Sequence, residues 1–211
     1  MPTIYLIRHG KASPEADDYD ELSAPGYEQA RLLGAELRRR DLKVGPVVSG
    51  SLRRQQQTAH TALAEAGVDE VPEVDRRWDE YDHLRLLALD PRGSGSLQDR
   101  LDASLTAWTG SGETGPGSWN HFRDGVASAL TDLVTRSERG RTALVFTSAG
   151  VIATVCSVLL STSTSGFLAM NRIVVNGSVT KLLHGRGGTQ LVGFNDHAHL
   201  EHGGTELMTY R

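Results

Sequence analysis

Five side chains in this sequence could together handle a phosphoryl group. Arg8 and His9 close the apolar run Ile4-Tyr5-Leu6-Ile7, and Gly10 follows them. A buried strand ending this way delivers a cation and a nitrogen nucleophile to the rim of a sheet, where open α/β folds bind their ligands. The glycine lets the backbone turn sharply and lets a ligand come close. Arg54 falls in the first turn of a later predicted helix, and Ser148 falls where the strand Thr142 to Thr147 enters another. Two guanidiniums can hold phosphate oxygens bidentately, which lysine cannot do. Their charge also disfavours the imidazolium, keeping His9 neutral and able to attack phosphorus. Backbone N–H groups at the helix entered through Ser148 and Ala149 offer a further anion site. A leaving oxygen needs a proton donor, for which Glu80 is the best candidate in Arg77-Trp78-Asp79-Glu80-Tyr81-Asp82-His83 and Asp82 the second.

These groups must be positioned by elements legible from periodicity. Thr3 to Ile7 reads as a buried parallel strand. Ser23 is a plausible N-cap with Pro25 in the first turn of a helix reaching about Arg40, and Ala30, Leu33 and Leu37 share its apolar face. Arg38, Arg39 and Arg40 in its last turn are expected to complement the helix dipole and meet solvent. Val44 to Val48 predicts a second strand. Ser51 is the expected cap of a helix from Leu52 to Ala66 stopped by Gly67, and Val71 to Val74 a third strand. The segment 83–118 changes character: a turn at Asp90-Pro91-Arg92-Gly93, a short helix from Leu97 to Trp108, and a flexible loop from Gly110 to Gly117. It reads as an insertion over one end of the sheet that sets substrate specificity. Trp119, Phe122, Val126, Leu130, Leu133 and Val134 mark an amphipathic helix. After Thr142 to Thr147, an apolar helix runs to about Leu160. Ile173 to Val175, Val179 to Leu183 and Gln190 to Phe194 read as the last strands, two of them paired through the turn at Gly185-Arg186-Gly187-Gly188. Strands alternating with helices predict a single α/β domain over 1–211: a three-layer sandwich, its central sheet mainly parallel but mixed, with helices on both faces.

Composition narrows the function. The chain has 211 residues, 23% of them charged, and a net charge of −4. That charge argues against general attraction to nucleic acid or an anionic membrane surface but does not forbid a local basic pocket. Its single cysteine, Cys156, excludes an intrachain disulfide and fits a reducing compartment. Cys156 lies in the apolar stretch Val151 to Leu160, where a small buried hydrophobe is expected. No apolar run has the length of a membrane span, and the N-terminus lacks a signal-peptide pattern, so the expected location is cytoplasmic.

IYLIRHGKAS, LSAPGYEQA and SGSLRRQQQTA together resemble the histidine phosphatase superfamily, which includes the cofactor-dependent phosphoglycerate mutases. The resemblance runs from Ile4 through the turn at Ser148 to FNDHAHL at Phe194 to Leu200, and is weakest in 83–118. It implies that His9 carries the phosphoryl group as a phosphohistidine and that Arg8 holds its oxygens. The second family arginine maps onto Arg54, counting back from Thr58, which leaves Arg53 facing elsewhere. The family acid maps onto Glu80, as proton donor to the leaving alkoxide and then general base for water. The sequence departs at one point: serine, at Ser148, stands where the family has a second histidine. A hydroxyl donates one hydrogen bond without bringing charge, so the expectation is a site that binds phosphate with activity reduced or restored by another group. The early loop also lacks the asparagine that follows the histidine in the mutases.

The resemblance thus implies a phosphatase acting on a small phosphate ester without metal or organic cofactor. Mutase-type transfer and a non-catalytic phosphate-binding module are the alternatives. Alternate histidines in His197-Ala198-His199-Leu200-Glu201-His202 could share one face as metal ligands, but the segment matches a family motif that need bind no metal. Substrate identity and oligomeric state are not legible.

Overall fold

A computed structural model describes residues 1–13, 20–89, 96–201 and 203–210. The predicted turn at 90–93, part of the early loop and His202 lie outside the described residues. In chain order the elements are β1 (Thr3–Arg8), α1 (Ala24–Arg39), β2 (Val44–Ser49), α2 (Arg53–Ala66), β3 (Glu73–Val74), a 3-10 turn at Arg76–Trp78, α3 (His83–Leu89), α4 (Leu97–Gly110), α5 (Trp119–Arg136), β4 (Thr142–Thr147), α6 (Ala149–Leu159), α7 (Thr164–Ile173), β5 (Val179–Gly185), β6 (Gly188–Asp196), α8 (Ala198–Glu201) and a second 3-10 turn at Thr205–Leu207. The six strands lie in the order β3-β2-β4-β1-β5-β6. The first four are parallel, whereas β5 runs antiparallel to β1 and pairs with β6. The mixed sheet expected from the sequence is therefore present, with its antiparallel part at the predicted C-terminal hairpin.

Strand periodicity sorts the core onto the two faces. Ile4, Leu6, Val48, Ala143 and Val145 pack with Val126, Leu133, Ile152 and Val155 of α5 and α6. Tyr5, Ile7, Val47, Leu144 and Phe146 face Leu33, Leu37, Ala59 and Leu63 of α1 and α2. A third cluster joins Tyr81, Leu86, Leu101, Leu105, Trp108, Ala153 and Phe167, with Trp119 and Phe122 against it. The 83–118 segment is thus anchored by an aromatic core onto α6 and α7; Tyr81 and Trp108 have ring centroids 5.6 Å apart and Trp119 and Phe167 4.9 Å.

Several local expectations need correction. Ser51 does not cap α2: the N-cap is Leu52, while Ser51 gives both its backbone N–H and its hydroxyl to Asp79. The third strand is only Glu73–Val74, and Val71 is exposed. Ile173 ends α7 rather than opening a strand, and α3 and α7 were not anticipated. Gly110 ends α4 rather than opening the loop. The arginine run is not simply solvated: Arg38 pairs with Glu65, and Arg39 and Arg40 both pair with Glu36. Arg40 also reaches Asp196 at 2.8 Å, tying α1 to the end of β6. The bonds from Arg39 and Arg40 hold the Glu36 carboxyl down to about 2. Cys156 is fully buried, and burial pushes its thiol up to about 12, as expected of an inert core cysteine. No helix among the described residues is long and apolar enough to cross a membrane.

Candidate active site

The sheet brings the predicted groups to one rim. β1 and β4 are adjacent and in register from Thr3↔Thr142 to Arg8↔Thr147, so His9 and Ser148 each lie one residue past paired strand ends. The His9 N–H donates to the Thr147 carbonyl at 2.9 Å, and the Asn176 side chain donates to the His9 carbonyl at 3.0 Å. These bonds fix the backbone that carries the ring. Gly10 also meets a packing need. A Cβ there would meet the Gly26 carbonyl oxygen at 2.4 Å, so its small size lets β1 pass the start of α1. The Gly10 N–H donates to Thr58 Oγ1 (3.0 Å), which in turn donates to the Arg54 carbonyl (2.6 Å).

The imidazole tautomer follows from its partners. His9 Nδ1 lies 2.7 Å from the Gly10 carbonyl oxygen, which can only accept, so Nδ1 carries the proton. Nε2 receives the Arg54 Nε–H at 3.1 Å, so its lone pair faces the guanidinium. Burial first, then Arg54 and then Arg8, holds the His9 pKa well below the usual imidazole value. The ring therefore favours its neutral form, with the Nε2 lone pair turned to the Arg54 Nε–H. Replacing Arg54 with glutamine should raise the His9 midpoint while leaving it below 6.5, because burial persists. An NMR titration of the His9 ring in both proteins measures this directly, and an unchanged midpoint would refute the electrostatic coupling.

Arg8 is buried, and its Nη1 donates to the carbonyls of Val174 and Tyr210, so the C-terminal part of the chain fixes its guanidinium. Arg54 is also buried and pairs through Nη1 with Asp20 at 2.6 Å. Arg53 pairs instead with Glu21 on the surface, in keeping with its expected outward direction.

Glu80 is separated from its acidic neighbours by its bonds. Its Oε2 accepts the Gly150 N–H at 3.1 Å and its Oε1 the Tyr81 N–H at 3.2 Å. A Cβ at residue 150 would lie 2.2 Å from Glu80 Oε1, so this approach needs glycine. Burial raises the Glu80 pKa, opposed by the Gly150 N–H, Arg54 and Arg8. Both cations that act on His9 therefore also act on Glu80. Asp79 is held by Ser51, whereas Asp82 is exposed and accepts the Arg85 N–H at the start of α3. Ser148 is the N-cap of α6 by position, but its hydroxyl makes no capping bond and accepts from Gln55 Nε2 at 2.9 Å. The helix start expected as an open anion site gives its Gly150 N–H to Glu80, and Ala149 lies beside it.

Sequence reasoning missed Asp20, Gln55, Thr58 as a structural link, and Asn176. Thr58 was readable one helical turn after Arg54. Asn176 carries no sequence signal, since only the fold brings it to His9. The histidines near the C-terminus point to backbone: His197 Nδ1 lies 2.6 Å from the Asn195 carbonyl and His199 Nε2 3.1 Å from that of Gly177. A groove of about 420 Å³ lined by Val126, Leu130, Val134, Val155, Val158 and Leu159 shares no residue with the His9 constellation.

The sequence model of the histidine phosphatase superfamily (branch 1) matches residues 4–197. The chain belongs to this superfamily. Solved structures agree on the histidine phosphatase fold. A phosphoglycerate mutase from Bacillus anthracis is 19% identical with a TM-score of 0.69, covering 95% of this chain and 96% of its own. Phosphoserine phosphatase from Entamoeba histolytica, solved with 3-phosphoglyceric acid, is 21% identical with a TM-score of 0.68, covering 95% and 100%. A mycobacterial glucosyl-3-phosphoglycerate phosphatase solved with VO3 is 22% identical with a TM-score of 0.64, covering 92% and 98%. A search of curated proteins returned no significant match.

Proposed function

We propose that this histidine phosphatase superfamily member hydrolyses a small phosphate monoester through a phosphohistidine on His9. The observation that carries this reading is the fixed neutral tautomer of His9, with Nδ1–H on the Gly10 carbonyl and the Nε2 lone pair 3.1 Å from Arg54 Nε. When a phosphate dianion arrives, the Arg54 N–H groups turn from Nε2 and Asp20 to its oxygens, and Arg8 adds a second positive charge. Ser148 and the backbone at Ala149 complete the cradle. The Nε2 lone pair then forms the N–P bond as the ester P–O bond breaks. Glu80, whose pKa burial raises, gives its proton to the departing alkoxide. In the second half, Glu80 takes a proton from water as the water oxygen bonds phosphorus and the N–P bond breaks, releasing phosphate. Arg54 and Arg8 stabilise the charge spread over the equatorial oxygens in both steps.

Trapping with a labelled phosphate monoester tests the first half. A phosphoenzyme labile to acid and stable to base, present in wild type and missing in His9→Ala, supports the reading, and its failure to form in wild type overturns it. Product analysis with a phosphoglycerate separates hydrolysis, which releases inorganic phosphate, from mutase transfer, which returns the phosphoryl group to the substrate.

Asp20 gives a further prediction. Its carboxylate sits where it neutralises Arg54 and competes with an incoming anion. Asp20→Asn is expected to tighten inorganic phosphate binding by roughly tenfold or less, the pair being partly solvent-exposed. Calorimetric titration with phosphate checks this, and weaker binding would show that Asp20 orients Arg54 instead.

A further inference from the structure

Gln55 is a fully buried polar side chain with no part in the chemistry above. Its Nε2 donates to Trp78 O at 3.1 Å and to Ser148 Oγ at 2.9 Å, while its Oε1 accepts the Leu52 N–H at 3.3 Å. These partners fix the amide orientation, because reversing it would face oxygen to the Trp78 carbonyl and N–H₂ to the Leu52 N–H. The end of the amide lies against Gly50, where a Cβ would be 2.0 Å from Oε1, so this placement needs glycine.

This fixed donor determines what Ser148 can do. A hydroxyl has one proton and two acceptor lone pairs, and an amide N–H can only take a lone pair. The Ser148 proton must therefore go to some other acceptor. Trp78 O is not available, since it already receives Gln55 Nε2 and the Thr147 hydroxyl at 2.7 Å. Ser148 is itself buried, beside the Thr147 carbonyl that binds His9 and two residues before the Gly150 N–H that binds Glu80. Accepting a hydrogen bond also makes a hydroxyl a stronger donor.

We propose that Gln55 is a positioning residue that commits Ser148 to donate its hydroxyl proton to the phosphoryl group held between His9 and the two arginines. The pair supplies an oriented, polarised neutral donor at a position that carries no cation. This inference rests on the phosphohistidine reading.

The test is a double-mutant cycle of Gln55→Met, which keeps length and removes hydrogen bonding, and Ser148→Ala, read as kcat, KM and inhibition by vanadate. Ser148→Ala is expected to lower kcat on the order of a hundredfold, as for loss of one preorganised donor, and to weaken vanadate with little change in KM. Gln55→Met should lower kcat by about tenfold in the same pattern and add nothing once Ser148 is alanine. Full additivity, or unchanged kcat and vanadate inhibition in either single variant, overturns the proposal. If Gln55→Met does not fold, Gln55→Glu takes its place in the cycle, since it keeps the size of the side chain but presents an acceptor to Ser148 instead of a donor. Phosphoenzyme trapping in wild type keeps the two failures apart. A trapped phosphohistidine with an additive cycle rejects only the Gln55 role, whereas no trapped intermediate rejects the underlying reading.

Discussion

Replacing His9 with alanine is expected to reduce turnover of a phosphate monoester on the order of 10⁴-fold or more, as deletion of a covalent nucleophile does elsewhere. Among the described groups around phosphorus, none can stand in. Arg8 and Arg54 carry no usable lone pair, Glu80 is engaged by two backbone N–H groups, and Ser148 has no base beside it, Gln55 being a donor. Phosphate binding should survive, because Arg8 remains anchored by Val174 and Tyr210 and Arg54 keeps its charge. Loss of turnover with retained thermal stabilisation by inorganic phosphate is thus the expected pair of results. A variant within tenfold of wild-type kcat would remove His9 from the chemistry. A wild type stabilised by phosphate but without turnover on any monoester would favour the binding-module alternative.

Glu80→Gln is expected to cost about 10² to 10⁴ in kcat/KM on an alkyl phosphate, the range for loss of a general acid. The amide keeps the size of the carboxyl and its single oxygen can still accept the Gly150 N–H, so the change removes the proton together with the bond from the Tyr81 N–H. The cost should shrink strongly for p-nitrophenyl phosphate, whose leaving oxygen needs little protonation. The pH profile supplies a second check. The proposed mechanism requires neutral His9, whose pKa is lowered, and protonated Glu80, whose pKa is raised, so the two shifts bring the required forms together. Activity should fall on the acid side as His9 gains a proton and on the alkaline side as Glu80 loses one. In Glu80→Gln the alkaline limb should vanish and the acid limb remain. Equal losses on both substrates with an unchanged profile would move the proton donor elsewhere.

Much of the frame was legible because its signals are local. The uninterrupted run Ile4 to Ile7 can only be satisfied by burial on both faces, and it lies at the middle of the sheet between β4 and β5. Ser23 caps α1 as expected, its hydroxyl accepting the Gly26 N–H at 3.2 Å, because capping involves neighbours in sequence. Expectations failed where tertiary contacts override local preference. Ile173-Val174-Val175 is β-branched and looks like a strand, yet Phe167 and Asn171 of α7 gain their burial by packing as a helix, with Asn171 donating to the Tyr81 hydroxyl at 3.0 Å. Ser51 has the composition of a cap, but the carboxylate of Asp79, distant in sequence, takes both its donors.

The sequence by itself determined the residue types available to the site: a strand ending in Arg8 and His9, a second arginine at the start of α2, and a serine at the start of α6. Residue type sets nucleophilicity, charge and donor count, and strand and helix periods place those residues at element ends. Only the tertiary structure decided the tautomer of His9, the placing of Glu80 rather than the exposed Asp82 on the Gly150 N–H, and the partner of Ser148. Each depends on bonds between residues far apart in the chain, such as Glu80 with Gly150 and Gln55 with Ser148, and on burial, which shifts a pKa through surroundings that no local pattern encodes.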